Sequence, residues 1–392
     1  MDPRSAAHDL RPDLVAWRRH LHAHPELSYE EHATAAFVRE RLHELGLRPS
    51  PPLAGGTGLT CLIEGRADGP TVALRADMDA LPIQEANDVP YASTVAGVAH
   101  LCGHDAHTTM LLGAAALLTR ERPARGHVKL LFQPAEEGGA GAARMIEDGA
   151  LQAPDVGAVF GLHVYPGMPV GHLTASPGPA TAASDGLDID VIGQGGHAAH
   201  PHQAVDAVVV AAHVVSALQQ VTSRQTDPLK PVVITIGKVE GGYARNVIAP
   251  SVRLEGTVRT LDRELRAQLP VQLERLVGGV TQAFGANHTL TFREGYPSLH
   301  NDASLLPTLK GTVEELLGEG RLASAPPSMG GEDFAFYAER VPGLMARLGV
   351  RNEAKGFVHP LHHPRFDLDE DALPLGAAVL AGFARRWLGA QP

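Results

Sequence analysis

The chain has 392 residues, 44% of them hydrophobic, which is long enough for two domains with buried cores. Its 33 Lys+Arg stand against 44 Asp+Glu, a formal net charge of −11, and this acidic balance argues against a nucleic-acid or anionic-membrane surface. Two cysteines, Cys61 and Cys102, make no disulfide framework, which favours a reducing cytosol and leaves Cys102 available as a thiolate.

The opening Met1-Asp2-Pro3-Arg4-Ser5 carries no apolar run, and no stretch reaches the length of a membrane span, so neither a targeting segment nor a membrane anchor is expected. Residues 10–46 read as helical, broken at Pro25 and stopped at Gly46. His20, His22 and His24 fall in this stretch. Alternate residues of a helix do not share a face, so they read as structural or surface histidines rather than a ligand cluster. Strands are expected at 58–64, 71–76, 127–132 and 156–162, with helices at 108–118 and 141–148. Such alternation makes a mostly parallel, twisted α/β sheet, and ligands of such sheets bind beyond the carboxyl ends of the strands. Asp77, Asp79, Glu136, Glu137 and His163 stand just past the expected strand ends, so they can converge although distant in sequence.

The middle of the chain changes character. A strand at 185–192, a helix at 204–221, strands at 231–240 and 251–259, a helix at 263–283 and a strand at 288–294 follow the order β-α-β-β-α-β. That is the order of a ferredoxin-like unit. An inserted domain is therefore expected at 184–296, with 1–183 and 297–392 forming one discontinuous catalytic domain. Helices near 305–317 and 333–338, a strand at 343–349 and a helix at 369–388 return the chain to that first domain. His362-His363-Pro364 lies in the loop before the last helix, from which a closing ligand can come.

The chemistry concentrates in Phe132-Gln133-Pro134-Ala135-Glu136-Glu137-Gly138-Gly139. One glutamate of such a pair can ligate a metal while the other moves protons to and from water. Acidic pairs also simply open helices, where they favour the dipole. Cys102 by itself would more often pack as a small apolar residue. With His104 two residues on, and Glu137 and His163 at strand ends, metal ligation becomes the better reading. Redox chemistry at Cys102 lacks a resolving partner at short spacing. Gly195-Gly196-His197 can be a plain loop, and Asn246 can cap a turn.

Seven segments occur in order between Trp17 and Trp387: Leu74 to Pro82, Cys102-Gly103-His104-Asp105-Ala106-His107, Phe132 to Gly139, Gly161-Leu162-His163, Gly195-Gly196-His197-Ala198-Ala199, Met329 to Phe334, and His362-His363-Pro364. Together they resemble the M20 family of metallo-aminoacylases and carboxypeptidases, in the branch of hippurate hydrolases and auxin-conjugate amidohydrolases. The resemblance implies an α/β metallopeptidase-like catalytic domain with a mostly parallel twisted sheet, plus an inserted ferredoxin-like α+β satellite domain through which subunits pair as a dimer or dimer of dimers. It implies two divalent metal ions per subunit, bridged by Cys102 and held by His104, Glu137, His163 and His362, with Glu136 as general base. His363 stands where the family often has Ser, so an exchange of roles between His362 and His363 stays open. Asp77 and Asp79 become supporting residues, and His197 and Asn246 bind substrate. After Asn246-Val247 the family usually has Pro two residues beyond the Val, whereas this chain has Ala249 before Pro250. A mixed thiolate, imidazole and carboxylate set suits zinc or manganese and admits cobalt or nickel. The implied activity is cytosolic hydrolysis of N-acyl-L-amino acids (acetyl, benzoyl or indole-acyl conjugates) to a carboxylic acid and an amino acid. Cleavage of small peptides is the nearest alternative. A silent metal-dependent binding protein is a further one, disfavoured by the retained Glu136.

Overall fold

The computed structural model of the chain describes residues 3–391, so the first two residues of the N-terminal stretch and the last residue of the chain lie outside it. The chain divides into two compact units. Met1–Gly178, His300–Pro326 and Asp333–Pro392 form the first, and Pro179–Leu299 with Pro327–Glu332 form the second.

The first unit is built on a seven-stranded sheet in the order Leu59–Glu64, His127–Gln133, Thr71–Asp77, Val156–Pro169, Gly343–Arg351, Leu173–Thr174, Leu322–Ala323. The first strand runs antiparallel to its neighbour, and the four central strands run parallel to one another. Parallel strands are covered on both faces, and Thr71–Asp77 is buried at every position. Arg75 and Asp77 therefore sit where a charge is costly unless it is paired. The helix His104–Arg120 is buried from His104 through Leu118, in keeping with its Thr-Thr-Met-Leu-Leu-Gly-Ala-Ala-Ala run. It packs on the C-terminal helix Ala372–Gly389.

Three boundaries differ from the sequence reading, and all three touch the site. The strand expected to stop at 162 runs on through Val156–Pro169, so His163 lies inside it rather than after it. The helix expected at 108 opens at His104. Asp77 is the last residue of its strand, not the first beyond it. In each case backbone pairing or a neighbouring helix continues regular structure past the point where the apolar run ends.

The second unit is a four-stranded antiparallel sheet in the order Asn287–Tyr296, Ala183–Ile192, Ser251–Thr260, Val232–Gly241. Helices Ala207–Gln220 and Arg263–Ala283 complete the β-α-β-β-α-β unit. Ala183–Ile192 alternates between buried and half-buried positions, placing Leu187, Ile189 and Val191 against Val210, Val214, Leu269 and Leu273. Asp206 and Asp262 cap the two helices by accepting N–H bonds from Val208 and Leu265.

Candidate active site

The site of the first unit starts with a glycine. Gly103 has φ 88°, and a Cβ there would stand 2.4 Å from a methyl carbon of Val164. Only glycine combines that backbone conformation with that approach, and it lets Cys102 and His104 face the same space. Two non-glycine residues at the site also have positive φ, Ala135 at 55° and His362 at 64°. Each conformation costs on the order of 1 kcal/mol or more and persists only where the surroundings impose it.

Glu31 accepts the Ala135 N–H at 2.8 Å, and Asp79 holds the glutamate pair that follows. The Asp79 carboxylate accepts the backbone N–H of Glu136 at 3.0 Å and that of Glu137 at 2.9 Å, together with the Ser28 hydroxyl at 2.7 Å. Nδ1 of His104 lies 2.8 Å from the Asp79 carbonyl oxygen and 3.2 Å from Oδ1. With Nδ1 engaged there, Nε2 is the nitrogen directed into the site, and it becomes a ligand when its proton is released. His163 is fixed the same way, with Nδ1 donating to the Val164 carbonyl at 2.8 Å and Nε2 3.6 Å from Cys102 Sγ. Orientation of a metal-binding imidazole through its other nitrogen is the usual support for such ligands.

Cys102, His104 and His163 can bring one ligand atom each within 4.8 Å of one another, and so can Cys102, Glu137 and His362. The two sets share only the sulfur. Ligand atoms about 2.0–2.3 Å from one ion lie at most about 4.6 Å apart, so each set has the right scale for a divalent metal. Nε2 of His104 and Oε1 of Glu137 are buried without a hydrogen-bond partner among the described residues, which a cation would remedy. His362 Nε2 stands 3.3 Å from Glu137 Oε1, with its side chain 50% exposed. His363 faces elsewhere, its Nδ1 accepting from the Arg365 N–H and its ring stacked on His359.

His107 reaches the same region, and sequence reasoning overlooked it. Its Nδ1 donates to Asp77 Oδ1 at 2.6 Å, and its Nε2 accepts the Val164 N–H at 2.9 Å. Both nitrogens are occupied, so His107 anchors Asp77 rather than ligating. Its spacing of three from His104 on one helix was the available signal. Asp333 was also missed as a site residue. It pairs with Arg75, accepts from Gln133 and Ala142, and offers its N–H to Glu136 Oε1 at 3.4 Å. Of the three early histidines, His22 is buried between Asp105 and Glu85, with Arg18 also on Asp105, and so braces the start of the His104 helix.

The charges follow from this packing. Burial alone would raise Asp77, but His104, Arg75 and His107 prevail and hold it well below the usual carboxylate range. Burial opposes charge on His104, yet Asp77, Cys102 and Asp79 raise it well above its ordinary value. Burial pushes the Cys102 thiol well up, with His104 opposing. Burial and His107 press His163 well down, keeping its Nε2 lone pair free.

His197 and Asn246 belong to the second unit. There the strands Gly196–His197 and Val247–Ile248 pair, and Ala198 donates to the Asn246 carbonyl.

The sequence pattern described as peptidase family M20/M25/M40 matches residues 73–386. The chain is 42% identical over 382 residues to N-acetyl-L-cysteine deacetylase of Bacillus subtilis, covering 97% of this chain and 89% of that protein. It is 40% identical to IAA-amino acid hydrolase ILR1-like 4 of Arabidopsis thaliana, covering 96% and 86%. Among solved structures it resembles a Bacillus subtilis protein described as a dinuclear metal binding peptidase from the M20 family, with TM-score 0.86, 35% identity, and 98% and 100% of the two chains covered. The chain thus belongs to peptidase family M20/M25/M40 and is a hydrolase of amide bonds.

Proposed function

We propose that the protein is a two-metal amidohydrolase that cleaves N-acyl-L-amino acids into a carboxylic acid and an amino acid. The observation that carries the reading is the pair of ligand sets sharing the Cys102 sulfur, with the buried carboxylate of Glu136 beside them. Two of its relatives are named for substrates of this class, N-acetyl-L-cysteine in one case and an IAA-amino acid in the other. Zinc or manganese suits the donor set, and Cys102, His104, Glu137, His163 and His362 would hold the ions. Bound there, divalent metals lower the pKa of water and polarise an amide carbonyl.

The protein's own part is positional and protic. Glu136, held by the Asp333 N–H, takes a proton from the attacking water and delivers it to the departing amine nitrogen, so that amide and water become acid and amine. Asp79 keeps Glu137 and His104 in place during this exchange. His197 and Asn246 would contribute substrate contacts, and subunits would pair through the second unit. Two unpaired cysteines suit a cytosolic enzyme, and no helix among the described residues is long and apolar enough to cross a membrane.

Reconstitution with zinc, manganese, cobalt or nickel, followed by a mass-spectrometric screen of N-acetyl, N-benzoyl and indole-acyl amino acids beside dipeptides, tests the reading. Release of free amino acid from the acyl conjugates is expected. Turnover of dipeptides alone would replace it with a peptidase assignment, and no turnover with any metal would refute both.

A further inference from the structure

Most buried or half-buried arginines of the first unit are neutralised, and those left without a partner among the described residues, such as Arg66 and Arg340, are exposed. Arg75 pairs with Asp77 and Asp333, Arg18 with Asp105 and Asp367, and Arg351 with Glu353. Arg347 differs. It is half-buried on the strand Gly343–Arg351, and among the described residues its guanidinium makes no hydrogen bond or ion pair. Its one contact of this kind is with the ring of Tyr165, whose centroid lies 5.4 Å away.

That ring is itself seated. A Cβ on Gly167 would fall 2.6 Å from Tyr165 Cζ, so the phenol lies across the bare glycine, where no other residue type leaves room. His163, Tyr165 and Gly167 are alternate residues of one strand and share a face. Arg347 is the register partner of His163 on the adjacent parallel strand, which puts it on the same face, one strand spacing of about 4.8 Å away. A cation supported on an aromatic platform thus stands beside a candidate metal ligand and has no carboxylate of its own.

The surroundings say what it is for. Asp77, Asp79, Glu136 and Glu137 crowd the reacting centre, and none of these acceptor-only carboxylates can hold a substrate carboxylate. In an N-acyl amino acid the carboxylate is three bonds from the amide carbon, so a group that binds it must stand to one side of the centre. We propose that Arg347, carried on Tyr165, takes a carboxylate of the substrate and makes the enzyme prefer acids over their neutral analogues. The proposal rests on the amidohydrolase reading for its substrate but not for its geometry. Arg supplies two parallel N–H donors to a carboxylate, and a site built around such a pair discriminates against an analogue lacking it.

The test compares wild type, Arg347→Met and Arg347→Lys on N-acetylmethionine, N-acetylmethioninamide and N-succinylmethioninamide. Methionine keeps the apolar cover over Tyr165 and removes the fork. Wild type should favour N-acetylmethionine over its amide by about tenfold or more in kcat/KM. Arg347→Met should abolish that preference through KM, with kcat nearly unchanged, and Arg347→Lys should restore part of it. A penalty falling on the succinyl compound instead assigns the carboxylate to the acyl side. Equal losses on charged and neutral substrates, or none, would overturn the proposal. Calorimetric titration of the metal-loaded proteins with methionine and methioninamide reads the same contact without turnover. Selective methionine binding that Arg347→Met loses supports the proposal even if no acyl compound is cleaved, a result that would sink only the amidohydrolase reading. Equal binding of the two by wild type, with no penalty on the succinyl compound in Arg347→Met, overturns it.

Discussion

Replacing Asp79 with Asn changes one oxygen to an amide and leaves the volume almost untouched, so its effect isolates the role of this carboxylate. Oδ1 accepts from Glu136 N–H and faces His104 Nδ1, while Oδ2 accepts from Glu137 N–H and Ser28. An Asn can point its single oxygen one way only. With the amide toward Glu136 and His104, two donors meet it. With the amide toward Glu137, one N–H is left facing an NH2 group, and the Ser28 hydroxyl can turn to accept. The second arrangement is cheaper and confines the damage to the Glu137 backbone. Loss of a charge-assisted hydrogen bond at a buried N–H costs about 1.5–3 kcal/mol. If that cost appears in metal binding, affinity falls by about 10- to 100-fold, the range seen when support of a metal ligand is removed. Chelator competition monitored by fluorescence gives the affinity, and thermal unfolding with and without metal separates it from loss of fold. The expected signature is a larger loss of metal affinity than of metal-free stability. If Asp79→Asn binds metal as tightly as wild type, the clamp does not position Glu137 and the reasoning fails.

Glu136→Gln should keep its metals and lose at least about 10²-fold in kcat with little change in KM, and loss of metal instead would exchange the roles of Glu136 and Glu137. Because burial raises the Cys102 thiol and Asp77 raises His104, both hold protons before metal enters. Binding should then release about one to two protons per subunit in a pH-stat titration, and apparent affinity should rise with pH; an absence of release would rule out thiolate ligation. Glu31, which accepts the Ala135 N–H, is lifted by burial from 4.5 to about 6. A carboxyl raised in the folded state favours the fold below pH 4.5 and loses that contribution, about 2 kcal/mol, as pH rises to about 6. Urea unfolding of wild type and Glu31→Gln at pH 4.5 and pH 7 should show the variant gaining relative stability at the higher pH; a pH-independent difference would contradict the shift.

Sequence alone determined the order of the elements and marked candidate ligand residue types, because both are written locally. Apolar runs of strand length, helical periodicity and Pro and Gly breaks marked the central sheet and the β-α-β-β-α-β unit before any contact was known. Cys102, His104, Glu137 and His163 were legible as metal-ligating residue types at expected turns. What only the tertiary structure decided was direction. His362 rather than His363 approaches Glu137 because a positive φ turns one ring inward while the other stacks on His359. Which nitrogen of His104 is free depends on Asp79, 25 residues away, and whether His107 can ligate depends on the Val164 N–H, 57 residues away. Arg347 looks in sequence like one charge in an apolar strand, and its pairing with His163 exists only through sheet register. Residue type follows from local pattern. Lone-pair direction, burial and the company a charge keeps are set by segments that meet only when the sheet closes, and no local periodicity records them.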